Sequence, residues 1–325
     1  MATYAVRHPL MALIAHRAAI GMVTLFIVSI VVFLATAVLP GNAAFARLGH
    51  AATPHSLQSI ELQLHLHDGL IHRYWIWISG MFTGRLGNSF ANGEPVWGQV
   101  APRLVNSAVL VVIAGSIGSL LGVFGGAIAA LRRDSWYDHL SSVANLVVTS
   151  LPEFIVAVIL VILFATVVFP VLPAVSLLNP GTYAWDAPTL LVLPVATLVL
   201  VIVPYIFRMT RAAMIEAFES DYVEMARLKG VPEWRVVLVH ALPNATGPTV
   251  QAIGLSFLYL AGGIVIVEDV FNYPGLGQGL VNAVSSRDVP TIQLIVVILA
   301  AFYVCVNILT DTIALAATPR RRIAR

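Results

Sequence analysis

The stretch ESDYVEMARLKGVPEWRVVLVHALPNA, residues 219–245, decides how this chain folds. It is a polar, helix-forming island with long apolar runs on both sides. Four acids (Glu219, Asp221, Glu224, Glu233) and three bases (Arg227, Lys229, Arg235) fall within it. Each would cost about 2.5–3.5 kcal/mol at the centre of a bilayer, so the island lies outside any membrane. The flanking runs call for one. The 325 residues are 59% hydrophobic and 10% charged, whereas a soluble domain carries roughly 25% charge. Mean hydropathy is +0.89. So much apolar surface cannot hide in one globular core. The chain reads as an all-α integral membrane protein, because a helix satisfies its own backbone in lipid.

A hydrocarbon core takes roughly 20 apolar residues as a helix. Six stretches qualify: 18–39, 105–131, 140–168, 189–213, 248–267 and 291–316. Pro152, Pro194 and Pro204 lie inside them and are tolerated, since neighbouring helices re-satisfy the freed backbone groups. Six spans put both termini on one side. That side holds 13 Lys and Arg residues, and the other holds 5 (Arg47, Arg73, Arg85, Arg103, Arg287), of the 18 in the chain. Basic residues collect in the cytoplasm. The N-terminal 1–17, the basic tail 317–325 and the island are therefore expected there. The first span is longer than the roughly 7–15 apolar residues of a signal peptide, so it is read as retained. The expected location is a plasma membrane, most simply a bacterial inner membrane.

Within the island, Asp221 and Glu224 resemble a capping box with Asp in place of Ser or Thr. Lys229 suits the far end of the helix dipole. Gly230 can close the helix in a left-handed conformation, and Pro232 opens a second short helix that Pro243 closes. Tyr222, Met225, Ala226 and Lys229 share one face, which Ala226 keeps flat for a partner. An amphipathic helix resting on lipid usually has a clearly basic polar face. The mixed charge here favours a protein partner.

The outer segment 40–104 contains Thr53-Pro54, an N-cap signal for a short helix to about Leu66, then a turn at Asp68-Gly69. A second helix, LIHRYWIWISGMF, presents Tyr74, Trp75 and Trp77 as interface anchors. It is either a lid or docking surface for an outside partner, or a structural cap on the bilayer. His55, His65, His67 and His72 lie in this segment. His65 and His67 are two apart and share no helix face, so no metal site is expected. In the second span Ala114, Gly118, Gly122, Gly126 and Ala130 recur every four residues, a stripe that lets another helix come close, in this chain or a second subunit. Cys305, the single cysteine, excludes an internal disulfide. A net charge of +2 without a basic, aromatic-studded patch argues against nucleic acid. No internal repeat is visible, and complete secondary transporters usually have two related halves. The chain therefore reads as half of a pore.

Polar groups inside spans are path candidates. Glu153 would lie about 20 Å along the third span, near the midplane. It either lines the pore, attracting an ammonium group, or makes a structural pair beside a Pro152 kink. Gln251, Ser256 and Asn307 are weaker candidates. Asp311 lies near the cytoplasmic end of its span and could pair with a basic neighbour.

The segment YVEMARLKGVPEWRVVLVHALPNA resembles the Glu-Ala-Ala loop of ABC importer permeases: Glu224, Ala226, then Gly230, with Leu242-Pro243 closing the pattern. Met225 stands for the first alanine and His240 for an aliphatic residue. HALPNA (240–245), EDVFNYPGLGQGLVNAVSSRDVPTIQ (268–293) and RLGNSFANGEPV (85–96) are similar to the dipeptide, oligopeptide and nickel branch, and to the first of its two paired permeases. Arg85 and Thr318 replace acids of that pattern. The resemblance implies a type I ABC importer permease fold (MetI-like) with a permease core over 105–316. It implies a second homologous permease, two ATP-binding subunits carrying ATP and magnesium, and an extracytoplasmic solute-binding protein. A coupling helix, about 221–229, would fit a groove on one ATPase. Asp221 and Arg227 belong to it; Glu224, Ala226 and Gly230 would shape the joint, while Tyr222, Met225 and Lys229 would face the motor. No GxxxxGK[ST] phosphate loop is present, so the chain is expected to hold no cofactor and to be no enzyme itself. Peptide is the expected cargo. A nickel or metal-chelate permease is the alternative within the family; an ion channel or a membrane enzyme is the alternative outside it.

Overall fold

The computed structural model describes residues 9–38, 69–178 and 183–317. Residues 53–66, with His55 and His65, lie outside it, as do His67, Asp68 and the tail from Thr318. Eleven α-helices follow one another among the described residues. They are α1 (Pro9–Val38), α2 (Leu70–Thr83), α3 (Val96–Leu131), α4 (Trp136–Thr149), α5 (Glu153–Val161), α6 (Val192–Phe218), α7 (Asp221–Leu228), α8 (Glu233–Arg235), α9 (Leu242–Val270), α10 (Leu276–Ser285) and α11 (Val289–Ala317). Five helical stretches are long and apolar enough to cross a bilayer: Ile14–Ala37, Val96–Leu131, Pro188–Phe218, Glu233–Val270 and Val289–Leu315. The α4–α5 pair makes a sixth if its two arms are one span. Below, the end of the bundle carrying α7 is termed inner and the opposite end outer.

Two spans depart from expectation. The third is not one helix over 140–168. It breaks at Ser150–Pro152, and the arms Trp136–Thr149 and Glu153–Thr166 meet at 103°. Pro152 lacks an amide hydrogen and pushes Leu151 out of helical space. It serves instead as the N-cap of α5, with ψ of 145°. The fifth span starts well before 248. The chain is helical from Glu233 to Val270, so Pro243 does not close a second short helix. A wider π turn over Val236–Ala241 precedes α9 and admits Pro243 in its first turn.

The core lies where α3, α6 and α9 meet. Leu110 and Ala114 of α3, Leu198, Ile202 and Ile206 of α6, and Leu260, Ile264 and Val267 of α9 are buried there. The stripe of small residues sets how closely α3 approaches α6. A Cβ on Gly118 would lie 2.5 Å from Ile202 Cδ1, one on Gly122 2.7 Å from Ile206 Cβ, and one on Gly126 2.5 Å from the Phe207 carbonyl oxygen. The stripe is thus used within the chain. Outside the core, Phe26, Val112, Leu120 and Phe124 remain exposed, as expected of surfaces that meet lipid or another subunit.

Polar pairs pin the periphery. Arg17 of α1 meets Asp311 of α11 at 2.8 Å, and Gln293 donates to Thr36 at 2.8 Å. In α2, Tyr74 and Trp77 pack on Phe33 with ring centroids 5.4 and 5.9 Å away. Trp75 points outward, and His72 lies on the same helix.

At the outer end, Glu268 is fully buried. Its carboxylate accepts from Ser107 Oγ at 2.5 Å and from the amides of Gly277 and Gln278 at 2.6 and 3.3 Å. It therefore satisfies amides left open at the start of α10. Nearby, Asp288 accepts from Ser89 Oγ at 2.5 Å and from the Phe90 amide at 2.8 Å. Ser89 and Phe90 of RLGNSFANGEPV and Asp288 of EDVFNYPGLGQGLVNAVSSRDVPTIQ, remote in sequence, thus belong to one outer cap.

Candidate functional site

The inner site is built on the end of α6. Ser220 has extended backbone (φ −81°, ψ 144°) and starts α7, yet its hydroxyl turns back to the Ala217 carbonyl. The expected Asp221–Glu224 capping box is not formed. Both acids sit exposed in the first turn and act on the helix only through its dipole. The far end follows expectation: Gly230 has φ +74°. Its amide donates to the Arg227 carbonyl at 2.9 Å, and the Val231 amide to the Ala226 carbonyl at 3.2 Å. These are the two bonds of a Schellman turn.

Two ion pairs hold this hairpin. Arg227 grips both carboxylate oxygens of Glu233 across the glycine turn, and its guanidinium lies 5.6 Å from the Phe218 ring. Arg133, just after α3, pairs with Glu219 at the end of α6. Hydrogen bonding to Glu233 and to Glu219 raises the pKa of the Arg227 and Arg133 guanidinium groups, respectively. Under the hairpin, Val223, Ala226 and Val236 form a buried cluster beside Phe218, Tyr222 and Val231.

That packing divides the α7 residues. Ala226 is buried against Val236, so it does not flatten an open face; it sets how closely α7 sits on the π turn. Tyr222 is half-buried and Arg227 is occupied internally. The open face carries Asp221, Glu224, Met225, Leu228 and Lys229. Met225 is 53% exposed, Leu228 74% and the neighbouring Trp234 64%. Leu228 and Trp234 were not singled out from sequence. The signal was present: both are large apolar residues within the charged island 219–245.

The second site is a cleft of about 530 Å³ between the α4–α5 corner, α6 and α9. The break at Pro152 makes Glu153 the first residue of α5 and brings it against α9. A Cβ on Gly263 would lie 2.6 Å from Glu153 Oε2, and Tyr259 donates to the same oxygen at 3.3 Å. Glu153 is therefore at a corner, not partway along a straight span. Ser256 also lines the cleft, but its hydroxyl is tied to the Ala252 carbonyl at 2.9 Å. Gln251 and Asn307 do not line it; Asn307 donates to the Tyr303 carbonyl at 3.2 Å. Tyr205 and Arg208 of α6 do line it. In the sequence Arg208 is one of the 13 basic residues expected on the cytoplasmic side.

A family described as "Binding-protein-dependent transport system inner membrane component" matches residues 122–323. A second description, "Binding-prot-dependent transport system membrane comp, N-term", matches residues 10–111. A putative peptide transport system permease protein of Brucella abortus (strain 2308) is 35% identical over 313 residues, covering 96% of this chain and 99% of the relative. The glutathione transport system permease protein of Escherichia coli (strain K12) is 35% identical over 299 residues, covering 92% and 95%. Among solved structures, a chain of the inward-facing MetNI methionine ABC transporter superposes with a TM-score of 0.56 at 20% identity. That match covers 69% of this chain and 99% of the other, a likeness of fold.

Proposed function

This chain belongs to the family of binding-protein-dependent transport system inner membrane components, and from that membership we propose that it forms half of an ATP-driven pore importing peptides. It is a permease subunit of the inner membrane. In the proposed assembly a second, homologous permease completes the pore, and both termini lie in the cytoplasm. Two ATPases, which hold the ATP and magnesium, dock below. The solute-binding protein delivers cargo to the outer cap around Glu268 and Asp288.

One observation carries the coupling. The buried face of α7 packs on the end of α6 and on the π turn, while Met225 and Leu228 on its other face have no apolar cover among the described residues. An ATPase groove would take that face. The push would not dissipate locally. Arg227–Glu233 and the Gly230 turn link α7 to the helical run Glu233–Val270, and α6 ends beside α7. These same two helices wall the cleft, so displacement of α7 would reshape it. Glu153, at the cleft corner, would attract the ammonium end of a peptide.

Purification of the intact complex through a tag on this chain tests the reading. The ATPases should co-purify, and mass spectrometry should find peptide in the bound solute. Absence of any ATPase would sink it.

A further inference from the structure

Arg208 and Glu153 reach one cleft from different helices, and neither is spent on the other: no ion pair joins them among the described residues. Arg208 also has no hydrogen-bond partner there. Its neighbour one turn on shows the contrast. Arg211 holds Asp138 through two bonds of 2.6 and 2.7 Å. Arg208 lies ten residues before the inner end of α6 at Phe218, about 15 Å along the axis. The Arg208 side chain is exposed and borders the cleft. An unpaired guanidinium at such a place needs a wet cavity or a ligand.

We propose that Arg208 and Glu153 form a two-ended recognition point for a zwitterionic solute, with Arg208 taking the carboxylate end and Glu153 the ammonium end. The inference rests on the import reading above and deepens it. A guanidinium presents a planar fork that matches a carboxylate. The Glu153 carboxylate keeps acceptor capacity beyond the single long bond from Tyr259. The cleft is also lined by Leu151, Val201, Tyr205, Leu255 and Tyr259. They suit the aliphatic and aromatic body of a short peptide. The cleft volume falls within the roughly 300–1,000 Å³ of small-molecule sites. Because the charged groups stand on α5 and α6, movement of α6 would alter their separation. A solute held at both ends would then be released by the stroke that opens the path.

The test uses the whole complex, isolated through a tag on the ATPase and reconstituted in vesicles with its binding protein. A tripeptide library is supplied outside, and imported peptide is measured by mass spectrometry per ATP hydrolysed. R208Q and E153Q should each lower that ratio about tenfold, the loss of one charged contact. R208K, which keeps the charge but not the fork, should fall between R208Q and wild type. A ratio within twofold of wild type for R208Q overturns the proposal. So does a ratio within twofold of wild type for E153Q, since the ammonium end would then have no partner in Glu153. A wild-type complex that imports no peptide while hydrolysing ATP would bring down the functional reading itself.

Discussion

The Arg227 guanidinium crosses the Gly230 turn and holds Glu233 at both oxygens, Nε to Oε2 at 3.2 Å and an Nη to Oε1 at 2.5 Å. Two helices separated by a flexible residue are thereby joined by a second, side-chain link. Both groups are about half exposed, so the pair adds little stability, about 0–1 kcal/mol. Its consequence is mechanical. R227Q or E233Q should leave the melting temperature of the purified complex nearly unchanged, yet reduce ATP-driven uptake about 3- to 10-fold. A large drop in melting temperature would assign the pair to folding instead.

The two faces of α7 should respond differently to substitution. Leu228→Asp adds a charge to an exposed position and should leave the permease folded, while ATPase recovery in pull-down falls at least about tenfold. Ala226→Leu overfills the space against Val223 and Val236 and should cost about 1–3 kcal/mol of stability. Thermal melting and pull-down of both variants separate the effects. Equal ATPase recovery for Leu228→Asp and wild type would remove α7 from the docking surface.

Gly126 should tolerate nothing larger. Its absent side chain faces the Phe207 carbonyl and the Arg211 amide, which are backbone and cannot rotate away. Gly126→Val should lower stability by about 3 kcal/mol or more and cut membrane yield. Gly262, with nothing within 4 Å of an added Cβ, is the control: Gly262→Ala should express as wild type. Yield on gels and melting in detergent provide the check.

Asp138 is almost wholly buried, and its pairing with Arg211 ties α4 to α6. The Asp138→Asn variant leaves Arg211 without its counter-charge and should destabilise the complex by about 3 kcal/mol. The double variant Asp138→Asn with Arg211→Gln should recover part of that loss. A double variant whose loss equals the sum of the Asp138→Asn and Arg211→Gln losses would mean the two residues act independently.

Much of the architecture was legible locally. Hydropathy located all six apolar stretches, because a helix in lipid must be apolar over its own length whatever its neighbours are. The hairpin at 221–230 was legible for a similar reason: Gly230 and Pro232 fix their own backbone. The capping box failed because Ser220, one residue earlier, took the extended cap position, and its hydroxyl found the Ala217 carbonyl closer. The straight third span failed because a proline in an apolar run can kink a helix or end it. Only the packing of α5 against α9 discriminates.

The sequence by itself determined the membrane setting, the positions of the apolar stretches and the charged, polar character of residues 219–235. All three depend on residue type summed along the chain. Tertiary structure alone decided which side chains share a space. It turned Ala226 inward and left Leu228 and Trp234 open, since burial depends on what lies across from a helix face. It moved Glu153 to a corner and set Arg208 beside the same cleft, although 55 positions separate them in the chain. Periodicity reports which residues of one helix share a face. It carries no information about which other helix that face will meet.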